Sequence, residues 1–210
     1  MLIEPGPLGL FVLSALALNL TPGPDMLFTT ASGLKQGPRA GVVAALGISA
    51  GSMVHILLAI IGVTAIFKTS ELAFDILRFI GAGYLLWIGI RSFSARGGDL
   101  SRPHVKPAGL MTVFRRGMFT NIFNPKVALF FIAFLPQFVS VDAGAIPLQI
   151  LILGLLFNVT GLLCNGSVGL FAGGAGRILL QRPSAAKWIS RISGSIFIGL
   201  AVRLALTERA

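Results

Sequence analysis

The sequence predicts an all-α integral membrane protein with six transmembrane helices, arranged as two inverted three-helix repeats whose first and fourth helices are broken. Of the 210 residues, 55% are hydrophobic and only 11% are charged, whereas a soluble domain is about 25% charged. The mean hydropathy is +0.88. Six apolar segments reach the length of about 20 residues that a membrane span needs. Lys and Arg are concentrated in alternate loops between these segments, which is typical of a multi-pass membrane protein.

The predicted spans follow one another along the whole chain. The leader up to Pro5 has no basic residue, so it does not resemble a secretory signal, and we expect the first apolar segment to be retained. The first span reaches full length only by passing Thr21-Pro22-Gly23-Pro24, and the fourth only by crossing Asn124-Pro125. Proline has no N–H and disrupts a helix interior, so we expect a break in each. The spans are 8–32, 41–66, 72–93, 113–138, 145–172 and 188–207.

The basic residues indicate the orientation in the membrane. The loops after spans one, three and five carry twelve Lys and Arg, and the opposite side carries four. The positive-inside rule therefore predicts that the twelve are cytoplasmic and that both termini lie outside. A net charge of +10 would suggest nucleic acid binding in a soluble protein. Here the same charge predicts topology and contact with anionic membrane lipid, and we expect no nucleic-acid partner.

Short similarities between the two halves predict an internal repeat. Gly23-Pro24-Asp25 and Asn124-Pro125-Lys126 occupy the same place in the first span of each half, and Arg78-Phe-Ile-Gly81 matches Arg191-Ile-Ser-Gly194. Chance similarity in apolar sequence is the alternative. Halves with three spans each are inverted relative to one another, a recurrent transporter design. The predicted division is 1–93 for the first repeat, 94–112 for a basic cytoplasmic linker and 113–210 for the second repeat.

The two predicted breaks carry the candidate chemistry. Asparagine is a preferred helix N-cap and proline suits the first helical position, so Asn124-Pro125 ends one half-helix and starts another. Gly23 gives the first break the freedom to turn. The N-terminal ends of the new half-helices carry positive partial charge, which suits a carboxylate. A kink used only for packing is the alternative.

Each break is followed by an ionisable residue, Asp25 or Lys126. Such residues near the bilayer centre are costly and commonly mark a pathway or a partner. We expect both to face one central cavity, with the carboxylate of a zwitterionic amino acid toward Lys126 and its ammonium toward Asp25. A purely structural ion pair is the alternative.

Other polar residues lie within the spans. His55 shares a helical face with Gly47 and Gly51, whose spacing predicts close helix packing and also allows a homodimer. His55 is either a packed, hydrogen-bonded histidine or, together with Asp25, a proton carrier. Asn158 and Asn165 are seven residues apart, on one face of span five. They either form hydrogen bonds between helices, with Asn121 available in span four, or line a substrate path.

These motifs resemble those of the LysE/RhtB family of bacterial amino-acid exporters. The resemblance is carried in order by Thr21-Pro-Gly-Pro24, by Gly47 and Gly51, by Gly83-Tyr-Leu-Leu-Trp-Ile-Gly89 and by Asn124-Pro-Lys126. It implies a multi-pass protein of the bacterial cytoplasmic (inner) membrane that exports a neutral amino acid or derivative by proton antiport, without a cofactor. The predicted substrate-binding residues are Thr21, Pro22, Gly23, Pro24, Asp25, Asn124, Pro125, Lys126, Asn158 and Asn165.

The sequence departs from the family pattern at one position. Many members place an acid directly after the second glycine of span two, where this chain has Ser52. If that acid carries protons in other members, either Asp25 or His55 does so here, or the coupling differs. The Pro-Gly-Pro-Asp form resembles the threonine and homoserine branch, whereas the second half resembles leucine exporters, so the substrate stays open.

Other functions have less support in the sequence. Metal-ion efflux is one alternative, but Asp25, His55 and Cys164 lie in different spans without ligand spacing, so we expect no metal site. An intramembrane enzyme needs a nucleophile beside a base, and no such set is evident. A non-transport scaffold has no need for two buried charges beside helix breaks. The lack of a P-loop gives ATP coupling no basis.

Overall fold

The computed structural model of the protein describes residues 5–69, 71–94, 108–172 and 183–206. All regular secondary structure in these ranges is helical, as predicted. Within the predicted linker 94–112, residues 95–107 lie outside the described residues, as do the extreme termini, so the linker and the side of the termini stay predictions. The helices are α1 (Pro5–Leu20), α2 (Pro24–Gln36), α3 (Pro38–Thr69), α4 (Glu71–Ser94), α5 (Leu110–Ile122), α6 (Pro125–Leu129), α7 (Ile146–Ala172) and α8 (Pro183–Leu206).

The length and apolar composition of the helices agree with a membrane protein. By these criteria, α3 over Pro38–Ala65 and α7 over Ile146–Ala172 are each able to cross a bilayer. Two bent pairs, α1 with α2 and α5 with Pro125–Phe138, also qualify if each counts as one span. The described apolar stretches of α4 and α8 are shorter, Phe79–Phe93 and Ser190–Val202. The described residues therefore supply two to four spans, and the six-span repeat stays a prediction.

Both predicted helix breaks are present. The first bent pair changes direction by 52° between Leu20 and Pro24, and the second by 47° between Ile122 and Pro125. In each case a proline occupies the start of the new helix. The first N–H groups of a helix have no acceptor within the helix, so the N–H that proline lacks is not needed there. Pro24 and Pro125 therefore start helices in the interior of predicted spans.

The second broken span is less regular than the sequence predicts. After the break, α6 is α-helical for only five residues. The chain then forms a π-helical turn over Phe130–Phe134 and a 3₁₀ turn over Leu135–Phe138. Pro136 has no N–H to continue the α-helical ladder, and the 3₁₀ turn surrounds it. The chain therefore stays helical over Pro125–Phe138, but its hydrogen-bonding pattern changes twice along the way.

Glycines allow the central helices to touch backbone to backbone. A methyl group on Gly47 would overlap the Phe114 carbonyl oxygen of α5, and one on Gly51 would lie 2.5 Å from the Met118 oxygen. The predicted close packing at these two glycines is confirmed. Their face of α3 is covered by α5 of the same chain, so it does not offer a surface for a homodimer.

A second backbone contact joins three helices. Gly33 of α2 and Gly41 of α3 both meet the backbone of Gly169 of α7, and a methyl group on either would overlap the Gly169 oxygen. Gln36, at the end of α2, also accepts a hydrogen bond from the Ala108 N–H at 2.8 Å. The end of α2 and the segment leading into α5 therefore lie side by side, at the end of the bundle that carries Lys35 and the exposed Arg115.

Buried aromatic side chains fill the space beside the second break. The rings of Phe130 and Phe157 stack at 4.7 Å between centroids, and Phe131 meets Phe157 edge to face at 5.1 Å. Phe11 of α1 contacts Phe130 at 5.8 Å. All four rings are at most 2% exposed. This cluster fixes the irregular turns after α6 against α1 and α7.

Candidate functional site

The first break leaves few backbone donors for the carbonyl groups at the end of α1, where the Thr21 N–H is shared between the Ala17 and Leu18 carbonyls. The Thr21 hydroxyl donates to the Ala17 carbonyl at 2.7 Å. The Leu18 and Thr21 carbonyls accept from a more distant group, the ammonium of Lys126, each at 2.9 Å. The end of α1 is therefore completed by a side chain from the other break.

The second break brings Lys126 to this position. Asn124 is the N-cap of α6, and its Oδ1 accepts from the backbone N–H of Lys126 at 3.1 Å, as predicted for an N-cap asparagine. The Lys126 side chain then extends back to the first break. A methyl group on Gly23 would lie 3.1 Å from Nζ, so glycine leaves room for the ammonium. The two breaks thus meet through Lys126.

Asp25 lies in the first turn of α2 and is 7% exposed. Its Oδ2 accepts from Nδ2 of Asn121 at 2.7 Å, whereas its Oδ1 is buried without a hydrogen-bond partner. Lys126 is close enough to act on Asp25 electrostatically. However, both hydrogen bonds of the Lys126 ammonium go to α1 carbonyls rather than to the carboxylate. A direct hydrogen-bonded ion pair is therefore not what holds these two residues in place.

His55 lies on the same face of α3 as the two packed glycines and is 6% exposed. Its Nε2 is 3.0 Å from the backbone oxygen of Asn121. Since a carbonyl oxygen only accepts, Nε2 is the donor. The ring stacks on Phe131, with 5.8 Å between centroids and 17° between planes. The packed, hydrogen-bonded role is confirmed, and the role as a proton carrier stays a prediction.

Asn121 joins the two candidate proton carriers, yet it was not among the predicted site residues. It occupies the last turn of α5, is 2% exposed, and binds Asp25 with its side chain and His55 with its backbone. From the sequence, Asn121 was expected only to be a hydrogen-bonding partner for span five. Its position three residues before the N-cap Asn124 was the available signal, because that spacing places it on the turn that ends at the break.

Asn158 and Asn165 lie on the buried face of α7. Asn165 donates to the Gly161 carbonyl of its own helix at 3.1 Å, and its Oδ1 is buried without a partner. Within the described ranges no hydrogen bond joins Asn158 to another residue. The bond between helices is instead made by Asn19 of α1, which donates to the Thr160 hydroxyl at 3.2 Å. The expectation that Asn158 and Asn165 connect helices by hydrogen bonds is therefore wrong, because their side chains do not reach a partner on another helix.

Several buried polar atoms near the breaks have no hydrogen-bond partner in the part of the chain that the structure describes. Asp25, Asn121 and Asn124 form one group, since Asn121 binds Asp25 and the Asn124 amide lies close to the same carboxylate. Ser52 follows Gly51, which packs on Asn121. Leaving such an atom unpaired costs about 1–3 kcal/mol, so the group is suited to a polar ligand. The atoms are Asp25 Oδ1, Ser52 Oγ, Asn121 Oδ1 and Asn124 Nδ2.

Metal ligands do not cluster in the part of the chain that the structure describes. No group of three or more His, Cys, Asp or Glu side chains in these residues is placed to hold a metal ion. Cys164 is a free, half-buried thiol on α7. The arrangement of donors therefore gives no support to the metal-ion alternative.

Interrupted membrane helices that meet at charged side chains are a recurrent feature of secondary transporters, in which the interruptions form solute and ion sites. Comparison with known proteins then gives the family. Residues 16–208 match the family model described as LysE type translocator. The chain is a member of the LysE type translocator family.

Similar proteins cover nearly the whole chain. A leucine efflux protein of Klebsiella pneumoniae subsp. pneumoniae is 32% identical over 203 residues, which are 94% of both chains. A homoserine/homoserine lactone efflux protein of Salmonella typhimurium is 30% identical over 202 residues, which are 95% of this chain and 96% of that protein. A leucine efflux protein of Enterobacter sp. is 32% identical over 204 residues, 93% of both chains. No solved structure gives a significant match.

Proposed function

We propose that the protein is a secondary transporter that exports a neutral amino acid or derivative from the cytoplasm, in exchange for protons, across a bacterial cytoplasmic membrane. The family and the similar proteins support this class of function. Leucine, homoserine and homoserine lactone differ in their side chains, and the lactone has no free carboxylate. The α-ammonium is the one charged group that all three share. A protein carboxylate that binds the α-ammonium is therefore the most important element of a site for such substrates.

The observation that carries the proposal is the buried, half-satisfied carboxylate of Asp25 beside two joined helix breaks. Its Oδ2 is occupied by Asn121, and its Oδ1 has no hydrogen-bond partner among the described residues. In the proposed site, Oδ1 accepts a hydrogen bond from the α-ammonium of the substrate. Such a charge-assisted bond is stronger than one between neutral groups.

The carboxylate or carbonyl end of the substrate is proposed to face Lys126 and Asn124. An ammonium has three donors, and two of those on Lys126 go to α1 carbonyls, which leaves one for a ligand. Asn124 Nδ2 is a second buried donor without a partner. The backbone of the first break and the proline of the second would line the site, and Asn158 and Asn165 would extend it along α7. These lining residues are Thr21, Pro22, Gly23, Pro24 and Pro125.

Exchange with protons would follow from competition at Asp25. A protonated Asp25 has no charge to hold an ammonium, so the residue binds either a proton or the substrate. If the carrier switches between its inward-facing and outward-facing states only when either a proton or the substrate is bound, it moves the proton and the substrate in opposite directions. His55 is the second candidate for the proton, because it shares Asn121 with Asp25. Ser52 leaves no acid on α3 directly after Gly51.

The proposal includes the topology that the sequence predicts. Six spans in two inverted halves would place both breaks near the midplane, and the twelve basic loop residues would face the cytoplasm. Among these, Lys35, Arg39, Arg115 and Arg116 are exposed. The meeting of the two breaks through Lys126 supports this arrangement.

The test uses purified protein in proteoliposomes. Labelled leucine and homoserine are measured in counterflow without a pH gradient, and then in uptake driven by an acidic lumen. Wild-type protein is expected to exchange at least one of them and to accumulate it when protons leave the lumen. Asp25→Asn is expected to abolish both activities, whereas the control Asp142→Asn, at an exposed loop position, keeps them. Undiminished transport by the Asp25 variant would contradict the proposed site.

A further inference from the structure

The helices α3 and α7 pack along a seam whose register is fixed by two contacts. A methyl group added to Gly154 of α7 would lie 2.7 Å from the side chain of Ile56 of α3. Further along the seam, Gly41 of α3 meets the backbone of Gly169 of α7. Between these two contacts the residue number changes by 15 on both helices, in opposite directions. The two helices are therefore antiparallel and stay in register over this length.

This register places Ser52 opposite Asn158. Ser52 comes four residues before Ile56, and Asn158 comes four residues after Gly154. On antiparallel helices, each therefore lies one turn from the Ile56 contact, on the same face and in the same direction. Both are buried, with 2% and 6% exposure. The Ser52 hydroxyl has no hydrogen-bond partner, and the Asn158 amide forms no hydrogen bond with another described residue. Buried polar side chains in membrane bundles commonly bond across helices, but these two do not.

The pair lies beside the carboxylate of Asp25. On α3, Ser52 lies between Gly51 and His55, which both contact Asn121. A methyl group on Gly51 would lie 3.1 Å from Asn121 Oδ1, and His55 Nε2 is 3.0 Å from the Asn121 backbone oxygen. Asn121 in turn donates to Asp25 Oδ2 at 2.7 Å. A solute held at Asp25 therefore has this pair as a neighbour on the side of α3 and α7.

The surroundings of the pair are apolar. Ile56 lies one turn away from Ser52, and Phe157 directly precedes Asn158. The Phe157 ring meets Phe131 edge to face at 5.1 Å. These three apolar side chains are at most 2% exposed. Hydrogen bonds are stronger in such an environment, and a polar group without a partner is costlier there. The hydroxyl and the amide are therefore suited to a polar group of a ligand.

We propose that Ser52 and Asn158 form the subsite for the side chain of the substrate and select a neutral amino acid that carries a hydroxyl there. This inference rests on the proposed function, and it adds the class of side chain that the site prefers. A ligand hydroxyl both donates and accepts, which matches a serine hydroxyl and an amide. An aliphatic side chain of the same length leaves both groups unpaired, and a site of that kind rejects it.

The test compares two substrates that differ only at the end of the side chain. Homoserine and norvaline have the same heavy-atom count, with a hydroxyl in one and a methyl group in the other. Labelled forms of both are measured in counterflow with the same proteoliposomes. Wild-type protein is expected to prefer homoserine by about tenfold or more. Ser52→Ala and Asn158→Leu are each expected to lower this preference by about fivefold, and the double variant to remove it.

The matched control is Ser92→Ala on α4. Ser92 is a buried serine with 6% exposure, and its hydroxyl donates to the Ile88 carbonyl of its own helix at 2.8 Å. This variant is expected to keep the wild-type preference. Because the preference is a ratio of two rates in one preparation, it does not depend on the amount of folded protein. If Asn158→Leu does not fold, Ser52→Ala alone decides.

Thermal unfolding in detergent gives a readout without transport. Homoserine is expected to raise the unfolding temperature of the wild-type protein more than norvaline does, and Ser52→Ala to remove most of this difference. Equal transport of the two substrates by wild-type protein, or an unchanged ratio in the Ser52 variant, would overturn the subsite and leave the proposed function standing. A wild-type protein that moves no neutral amino acid would overturn the proposed function, and the subsite with it.

Discussion

The ammonium of Lys126 donates to the backbone carbonyl of Thr21 at 2.9 Å, across 105 positions of the sequence. The same ammonium donates to Leu18 in the last turn of α1. A cation at a helix C-terminus is favoured by the helix dipole as well as by the hydrogen bonds. Lys126 therefore stabilises the broken end of α1 and holds the two breaks together, in addition to any contact with a solute.

Lys126→Met is expected to destabilise the protein and to abolish transport. The change keeps most of the side-chain volume but removes the ammonium donor of two carbonyls, of which Leu18 still accepts from the Thr21 N–H and Thr21 is left unpaired, at a cost of about 1–3 kcal/mol. Thermal unfolding in detergent and counterflow in proteoliposomes measure the two effects. Lys126→Arg restores a donor and part of the stability. Lys35→Met, at an exposed position near the end of α2, is the control, and equal stability of the Lys126→Met and Lys35→Met variants would be inconsistent with this contact.

Gly23→Ala is expected to reduce transport through its contact with Lys126. The Gly23 backbone is extended (φ −166°, ψ −176°), so alanine fits the backbone itself. The added methyl lies 3.1 Å from Nζ and 3.4 Å from Cε. In a double-mutant cycle with Lys126→Met, the stability cost of Gly23→Ala should therefore shrink, with a coupling of about 0.5–3 kcal/mol.

The control for this cycle is Gly166→Ala on α7, where nothing lies within 4 Å of an added methyl. It is expected to leave transport and unfolding near wild-type values. Purely additive unfolding energies for Gly23→Ala and Lys126→Met would show that the methyl acts elsewhere.

Gly47→Ala is expected to separate α3 from α5. The added methyl would overlap the Phe114 carbonyl oxygen and lie 2.9 Å from its carbon, and backbone atoms cannot rotate away. Overpacking of this kind costs about 1–3 kcal/mol. The unfolding temperature and the amount of monodisperse protein after extraction measure the loss. Gly62→Ala in the same helix has open space around the added methyl, and an equal loss in that variant would argue against the contact with α5.

Gln149→Leu tests the segment that leads into α7. The fully buried Gln149 side chain accepts from the Ser140 N–H at 2.9 Å and donates to the Ser140 and Gly144 carbonyls at 2.8 and 2.6 Å. Leucine removes all three bonds, and at about 1 kcal/mol each the protein should lose about 3 kcal/mol. Chemical denaturation in detergent measures it. The exposed neighbour Leu148 provides the control Leu148→Ala, which should leave the denaturation midpoint nearly unchanged.

Local features of the fold could be predicted from the sequence. Proline at positions 24 and 125 marks both breaks, since the missing N–H is a property of the residue itself. The spacing of Gly47, Gly51 and His55 placed them on one face, and the structure packs that face on α5. The π-helical and 3₁₀ turns were not predicted, although Pro136 was visible, because its effect depends on how the Phe130 and Phe157 rings pack.

The site was harder to predict because side-chain partners are set by distances between helices. Asp25 and Lys126 suggested each other as opposite charges, yet their hydrogen bonds go to Asn121 and to α1 carbonyls. A backbone carbonyl that lacks a donor at a helix end cannot be recognised from the types of residue in the sequence. Asn121 was overlooked for a related reason. Half of its contribution comes from its backbone oxygen, which any residue would supply.

The contact among Gly33, Gly41 and Gly169 bears on how the bundle could rearrange. Where helices touch through side chains, sliding is tolerated because rotamers adjust. Here main-chain atoms of α2, α3 and α7 are in direct contact, so no flexible side chains lie between these helices to accommodate sliding. Since α5 abuts α3 in the same way at Gly47 and Gly51, the helices α2, α3, α5 and α7 should travel as one stiff body, and the relative motion that opens a route for solute belongs to the segments outside it.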